Sequence, residues 1–159
     1  MEIEGCSERQ ANTEMPLVVL VAEDDLDDVF LLRRAFGKAQ LKADLHFVND
    51  GQEAIDYLAG KGPFNDRVSH PWPSLVIIDL LLPRLSGFEV LAWLSKRQDL
   101  SLPVVVLSGT AAPTDFQRAY GLGADYCVSK PVEFGELVAI VRNIYIFWQH
   151  RMRSLPKAA

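Results

Sequence analysis

Five polar residues stand at or just past the ends of apolar runs in this chain. Asp79 closes Leu75-Val76-Ile77-Ile78, Glu23 and Asp24 follow the run 16–22, Ser108 follows the run 102–107, and Lys130 follows Tyr126-Cys127-Val128-Ser129. A carboxylate at the end of a buried run is costly unless it leaves the core or is neutralised. Three carboxylates brought together cannot all stay ionised without compensation. A divalent cation supplies it, and hard oxygen ligands that leave room for water and phosphate suit Mg2+. A lysine adds a second cationic centre, and a serine hydroxyl both donates and accepts. Such a set is built to hold a tetrahedral dianion beside Asp79, with the parts that stabilise phosphoryl transfer. No Ser or Cys nucleophile is obvious at this edge, which leaves Asp79 itself to attack phosphorus and form an aspartyl phosphate.

That chemistry requires the runs to end side by side, and the hydrophobic pattern predicts that they do. Residues 16–22 read as a buried strand and 26–38 as a helix with Val29, Leu32, Ala35 and Phe36 on one face. A strand at 45–48 is broken by Asn49-Asp50-Gly51, and 52–59 is helical. Gly60, Gly62, Pro63, Pro71 and Pro73 mark a long loop before the strand 75–79. A helix over 86–97, a strand over 102–107, a short helix over 114–120, a strand over 126–129 and a long helix over 133–151 complete the chain. Strands alternating with helices predict an α/β protein, a parallel sheet with helices on both faces. Right-handed crossovers then put every strand's carboxyl end on one edge.

Composition narrows the class. At 159 residues one domain is expected, with residues 1–15 as a flexible leader, 16–151 as the folded body and 152–159 as a tail. A formal charge of −5 argues against direct DNA binding, which needs a basic surface. No apolar run approaches the ~20 residues that span a bilayer, and the acidic N-terminus is unlike a signal peptide. Cys6 and Cys127 form no disulfide framework and read as reduced thiols of a cytoplasmic protein. His46, His70 and His150 have no ligand spacing.

Residues 16–142 resemble the receiver domain of two-component response regulators. The resemblance rests on Val21-Ala22-Glu23-Asp24-Asp25, Ile78-Asp79-Leu80-Leu81-Leu82-Pro83-Arg84-Leu85-Ser86-Gly87, Leu107-Ser108-Gly109, and Gly123-Ala124-Asp125-Tyr126-Cys127-Val128-Ser129-Lys130-Pro131, all in order at strand ends. The stretch from Glu23 to Leu31, the long loop before the third strand, and Ile146-Phe147-Trp148 resemble the small stand-alone regulators paired with phytochrome-type histidine kinases. The resemblance implies a flavodoxin-like (βα)5 fold with strand order 2-1-3-4-5. It implies that Asp79 accepts a phosphoryl group from a histidine kinase or a phosphotransfer protein. It further implies that Asp24 ligates Mg2+ with Glu23 assisting and the Leu81 carbonyl as a further ligand, that Lys130 pairs with the phosphoryl group and that Ser108 swings to it. Pro131 is expected to follow a cis peptide bond.

Two residues depart from common receiver usage. Leu81 stands where polar side chains are frequent, and Cys127 where an aromatic residue often reports phosphorylation. Strand alternation points Tyr126 and Cys127 to opposite faces, which favours the absence of an aromatic switch. The final helix carries more apolar surface than one face needs, so Tyr145 and Trp148 are expected at a homodimer face. The acids Asp25, Asp27 and Asp28 read as an ordinary solvated helix start. Two rivals remain. A pseudo-receiver would bind partners without being phosphorylated, which the intact acids, Ser108 and Lys130 argue against. An aspartate-nucleophile phosphatase would want a second acid two residues after Asp79, where Leu81 stands. No effector domain fits after about residue 151, so output is expected through protein contact, onward phosphotransfer or feedback on the kinase.

Overall fold

A computed structural model describes residues 16–109 and 112–154. The expected leader 1–15, with Cys6, and the end of the expected tail lie outside them. Five strands, β1 (Leu17–Ala22), β2 (Ala43–Val48), β3 (Leu75–Ile78), β4 (Val104–Ser108) and β5 (Tyr126–Ser129), alternate with five helices. The helices are α1 (Leu26–Lys38), α2 (Gly51–Ala59), α3 (Gly87–Ser95), α4 (Pro113–Gly121) and α5 (Phe134–Arg153). All strand pairs are parallel, in the order β2-β1-β3-β4-β5. This is the expected flavodoxin-like arrangement.

The strand residues sort by parity, as a two-residue side-chain period requires. Leu20, Ala22, Val76, Ile78, Val104 and Val106 face a core shared with α2, α3 and α4. Val19, Val21, Leu75, Ile77, Val105 and Leu107 face a second core shared with α1 and α5. β3 lies in the middle of the sheet and is buried along its whole length. Each such aliphatic side chain contributes about 1.5–3 kcal/mol of burial, so the strand that carries Asp79 is among the most firmly held.

Three expectations are corrected. β2 begins two residues early, because Ala43 and Asp44 continue the ladder opposite Leu17 and Val18. The Lys130–Pro131 bond is trans, since no described peptide bond is cis. The trans form is the more stable for an X–Pro bond, and it already lets Lys130 reach its partners. Trp148 is buried in the core between α1 and α5, with its ring 5.8 Å from that of Tyr145, and cannot present a dimer face. The exposed apolar residue on that turn is Ile146.

Candidate functional site

The backbone places the site residues with little freedom. Glu23, Asp79 and Lys130 each follow a strand immediately, and their N–H groups still donate into the sheet, to the carbonyls of Val48, Ala22 and Ser108 at 3.1 Å each. The ladder thus fixes where three side chains start. Ser108 is the last residue of β4 and is fully buried. Asp25 caps α1 by accepting from the N–H groups of Asp27 and Asp28, and its own N–H donates to Glu23 Oε1 at 3.0 Å. Gly87 opens α3 directly under Asp79, where an added Cβ would overlap the Asp79 and Leu80 backbone.

Both carboxylate oxygens of Asp79 are engaged. Oδ1 accepts from Ser108 Oγ at 2.8 Å and from the Leu81 N–H at 3.0 Å. Oδ2 accepts from Lys130 Nζ at 2.6 Å. Lys130 also reaches Glu23 Oε2 at 2.6 Å and Asp28 Oδ2 at 2.7 Å. Its three ammonium hydrogens are therefore all committed to carboxylates. Glu23, Asp24 and Asp79 offer oxygens within 4.8 Å of one another; Glu23 and Asp79 are buried and Asp24 is exposed.

The charges do not balance within this cluster. Four acids, Glu23, Asp24, Asp28 and Asp79, face a single lysine. Burial pushes the Glu23 carboxyl up from 4.5 to about 7, against the opposing pull of Lys130 and the Asp25 N–H. Burial alone would pull Lys130 down, but its hydrogen bonds to Asp28, Asp79 and Glu23 more than offset it and hold the ammonium above its ordinary range. Three carboxylates with unspent lone pairs and a deficit of positive charge fit a hard divalent cation.

Similarity to known proteins agrees with this geometry. Residues 19–142 match the family model "Response regulator receiver domain". The chain belongs to the response regulator receiver family. Receivers of this family accept a phosphoryl group on an aspartate and act in two-component signalling. The response regulator Rcp1 of Synechocystis is 31% identical over 90% of this chain and 95% of its own length. Its Mn2+-bound structure has a TM-score of 0.75 at 29% identity, covering 91% of this chain and all of that one. The response regulator RPA3017, from red light signalling of R. palustris, is 35% identical with a TM-score of 0.81, covering 89% of this chain and 99% of that one. The phosphorylated cyanobacterial phytochrome response regulator RcpA is 30% identical with a TM-score of 0.76, over 84% and 94% of the two chains.

The receiver's remaining expected residues fall as follows. Leu81 projects its side chain into solvent at 62% exposure while its N–H holds Asp79. Pro131 directly follows Lys130 and lines a small cleft with Asp28, Leu107 and Leu137. Cys127 is buried against the α2–α4 side, whereas Tyr126 packs on the α5 side with its ring 6.2 Å from Phe147. Tyr120 of α4, not a residue of β5, lies near this point, and its hydroxyl accepts from the Cys127 N–H at 3.0 Å. One site residue was not foreseen: Asp28, read from sequence as a solvated acid. A signal was present, since Asp28 lies four residues before the buried Leu32 and so shares the inward stripe of α1.

Proposed function

We propose that Asp79 is the residue this receiver phosphorylates, that the cation beside it is Mg2+, and that the donor is a sensor histidine kinase of the phytochrome type or a phosphotransfer protein acting for one. The observation that carries the reading is the engagement of buried Asp79 by Ser108, Lys130 and the Leu81 N–H, with Glu23 and Asp24 alongside. That the relative RcpA is a cyanobacterial phytochrome response regulator and that RPA3017 acts in red light signalling support the phytochrome-type donor.

An Asp79 carboxylate oxygen attacks the phosphorus of a phosphohistidine. The P–N bond breaks and its electron pair returns to the imidazole. Glu23, Asp24, Asp79 and the Leu81 carbonyl would hold Mg2+, which when bound neutralises charge on the carboxylates and the phosphoryl oxygens. Lys130 exchanges its hydrogen bond to Asp79 Oδ2 for one to a phosphoryl oxygen. Ser108 turns its hydroxyl from Asp79 Oδ1 to another. Both changes draw on the loops after β3 and β4, the elements expected to resettle and to alter a protein-binding surface. Of the two α5 residues expected at a homodimer face, Tyr145 alone keeps surface, because Trp148 is packed inside.

Incubation with Mg2+ and acetyl phosphate, followed by intact mass measurement, tests the assignment. A labile gain of one phosphoryl group that Asp79→Asn abolishes supports it. An adduct that persists in Asp79→Asn refutes it.

A further inference from the structure

Cys127 leaves β5 without an aromatic side chain at its centre, and the structure brings an aromatic hydroxyl to the same place from another element. β5 is an edge strand of the sheet. The Lys130 N–H points inward to the Ser108 carbonyl, so three positions earlier the Cys127 N–H points off the open edge. Tyr120 of α4 covers it. Its hydroxyl accepts from that N–H at 3.0 Å, while the residue as a whole stays 47% exposed. Among the described residues this is the one side-chain hydrogen bond that joins α4 to β5.

The bond links the two elements that border the site's movable residues. α4 begins five positions after Ser108, and β5 ends directly before Lys130. α4 is also the most lightly anchored of the five helices: of its nine residues only Ala119 is buried, against three in α3 and five in α5. β5 by contrast is laddered to β4, with Ser129 opposite Ser108. Lightly packed elements are the ones that shift in switching. When Ser108 turns toward a phosphoryl group it draws on the chain that leads into α4, and any difference in movement between α4 and β5 falls on the Tyr120 contact. Such a bond is lost once its ends part by about 0.5 Å.

We propose that the Tyr120 hydroxyl is a latch that holds α4 on β5 in the resting receiver and is released when Asp79 is phosphorylated. The inference rests on Asp79 being the phosphoryl acceptor. Release frees the Tyr120 side chain and bares the Cys127 N–H on the sheet edge, so the α4–β5 face offers a partner a different surface in each state. Because the latch is made only in the resting state, it opposes loading. Its removal therefore has a fixed sign: a receiver without it takes the phosphorylated form more readily.

The test uses beryllofluoride, which with Mg2+ mounts a tetrahedral phosphoryl mimic on an aspartate carboxylate. It is titrated into the full chain and followed by its own bound 19F resonance. Tyr120→Phe keeps the ring and removes the hydroxyl; it should tighten beryllofluoride binding by about three- to tenfold, the scale of one hydrogen bond. A merely structural bond, present in both states, would on removal lower Tm and leave that affinity alone. With 3-fluorotyrosine in the chain, the resonance that Tyr120→Phe deletes should move on saturation with beryllofluoride. Unchanged or weaker beryllofluoride binding in Tyr120→Phe overturns the inference, as does a Tyr120 resonance that stays in place; both leave the acceptor assignment standing. A parent protein that binds no beryllofluoride and gains no mass from acetyl phosphate would instead remove the acceptor reading and this inference with it.

Discussion

Glu23 is where the cost of assembling this site is concentrated. Its carboxyl is raised from 4.5 to about 7 by burial. Between those values the folded protein holds a proton that the unfolded chain has released, so the free energy of folding weakens as pH rises from 4.5 to about 7. The contribution is fully present below the lower value and gone above the upper one. A divalent cation must displace that proton, so its binding strengthens over the same window. We expect the rise in Tm caused by Mg2+ to be larger at pH 8 than at pH 6, and Glu23→Gln to flatten that difference; scanning calorimetry with and without Mg2+ checks both. Asp79, Lys130, Ser108, Glu23 and Asp24 were all legible in the sequence because each polar residue ended or followed an apolar run. Asp28, although it shares the inward stripe of α1 with Leu32, was passed over because an acid in the first turn of a helix is ordinarily explained by the helix dipole. Only the partner 102 positions away gives it a different role.

The β3–α3 connection is the element on which the geometry at Asp79 most depends. It turns back on itself between Leu80 and Gly87, and Arg84 within it adopts the left-handed region at φ 64°. Arg84 is steadied by a 3.4 Å contact to Asp50, the buried N-cap of α2. The connection closes with the Gly87 N–H donating to the Leu80 carbonyl at 3.0 Å, and a reciprocal capping box between Ser86 and Glu89 starts α3. Gly87→Ala would push a methyl into the backbone of Asp79 and Leu80. Such overpacking costs about 1–3 kcal/mol, and here it also displaces the segment that carries Leu81 and aims Asp79. Gly87→Ala should therefore lower both Tm and Mg2+ affinity by titration calorimetry; a drop in Tm with Mg2+ affinity intact would separate the loop from the site. The strands were readable from their two-residue period and the helices from their stripes. The fate of Trp148 was not, because an apolar residue on a 20-residue helix shows its stripe but not which neighbours cover it; it joins the second core beside Leu17, Leu41 and Ala43.

At the scale of the whole molecule, the site has no existence apart from the sheet. Its residues come from the ends of four strands and the first turn of one helix, and two separate cores on opposite faces hold those strands in register. Anything that binds only the assembled edge therefore stabilises the entire fold by mass action. Conversely, a cluster of four acids and one lysine loads that fold with uncompensated negative charge until a cation or a phosphoryl group rearranges it. Among the described residues no helix is long and apolar enough to cross a membrane. The topology and the crowding of carboxylates at one edge were legible in the sequence, whereas the fourth acid, Asp28, joined them only once the side chains were placed. The central claim is that this deficit is arranged around a single covalent site. Its most direct test is chemical mapping: load the protein with acetyl phosphate and Mg2+, reduce the acyl phosphate with borohydride, which converts a phosphorylated aspartate to homoserine, and sequence the peptides. Homoserine at position 79 and nowhere else is the predicted result; homoserine at Asp24 or Asp28, with position 79 still aspartate, would contradict the account.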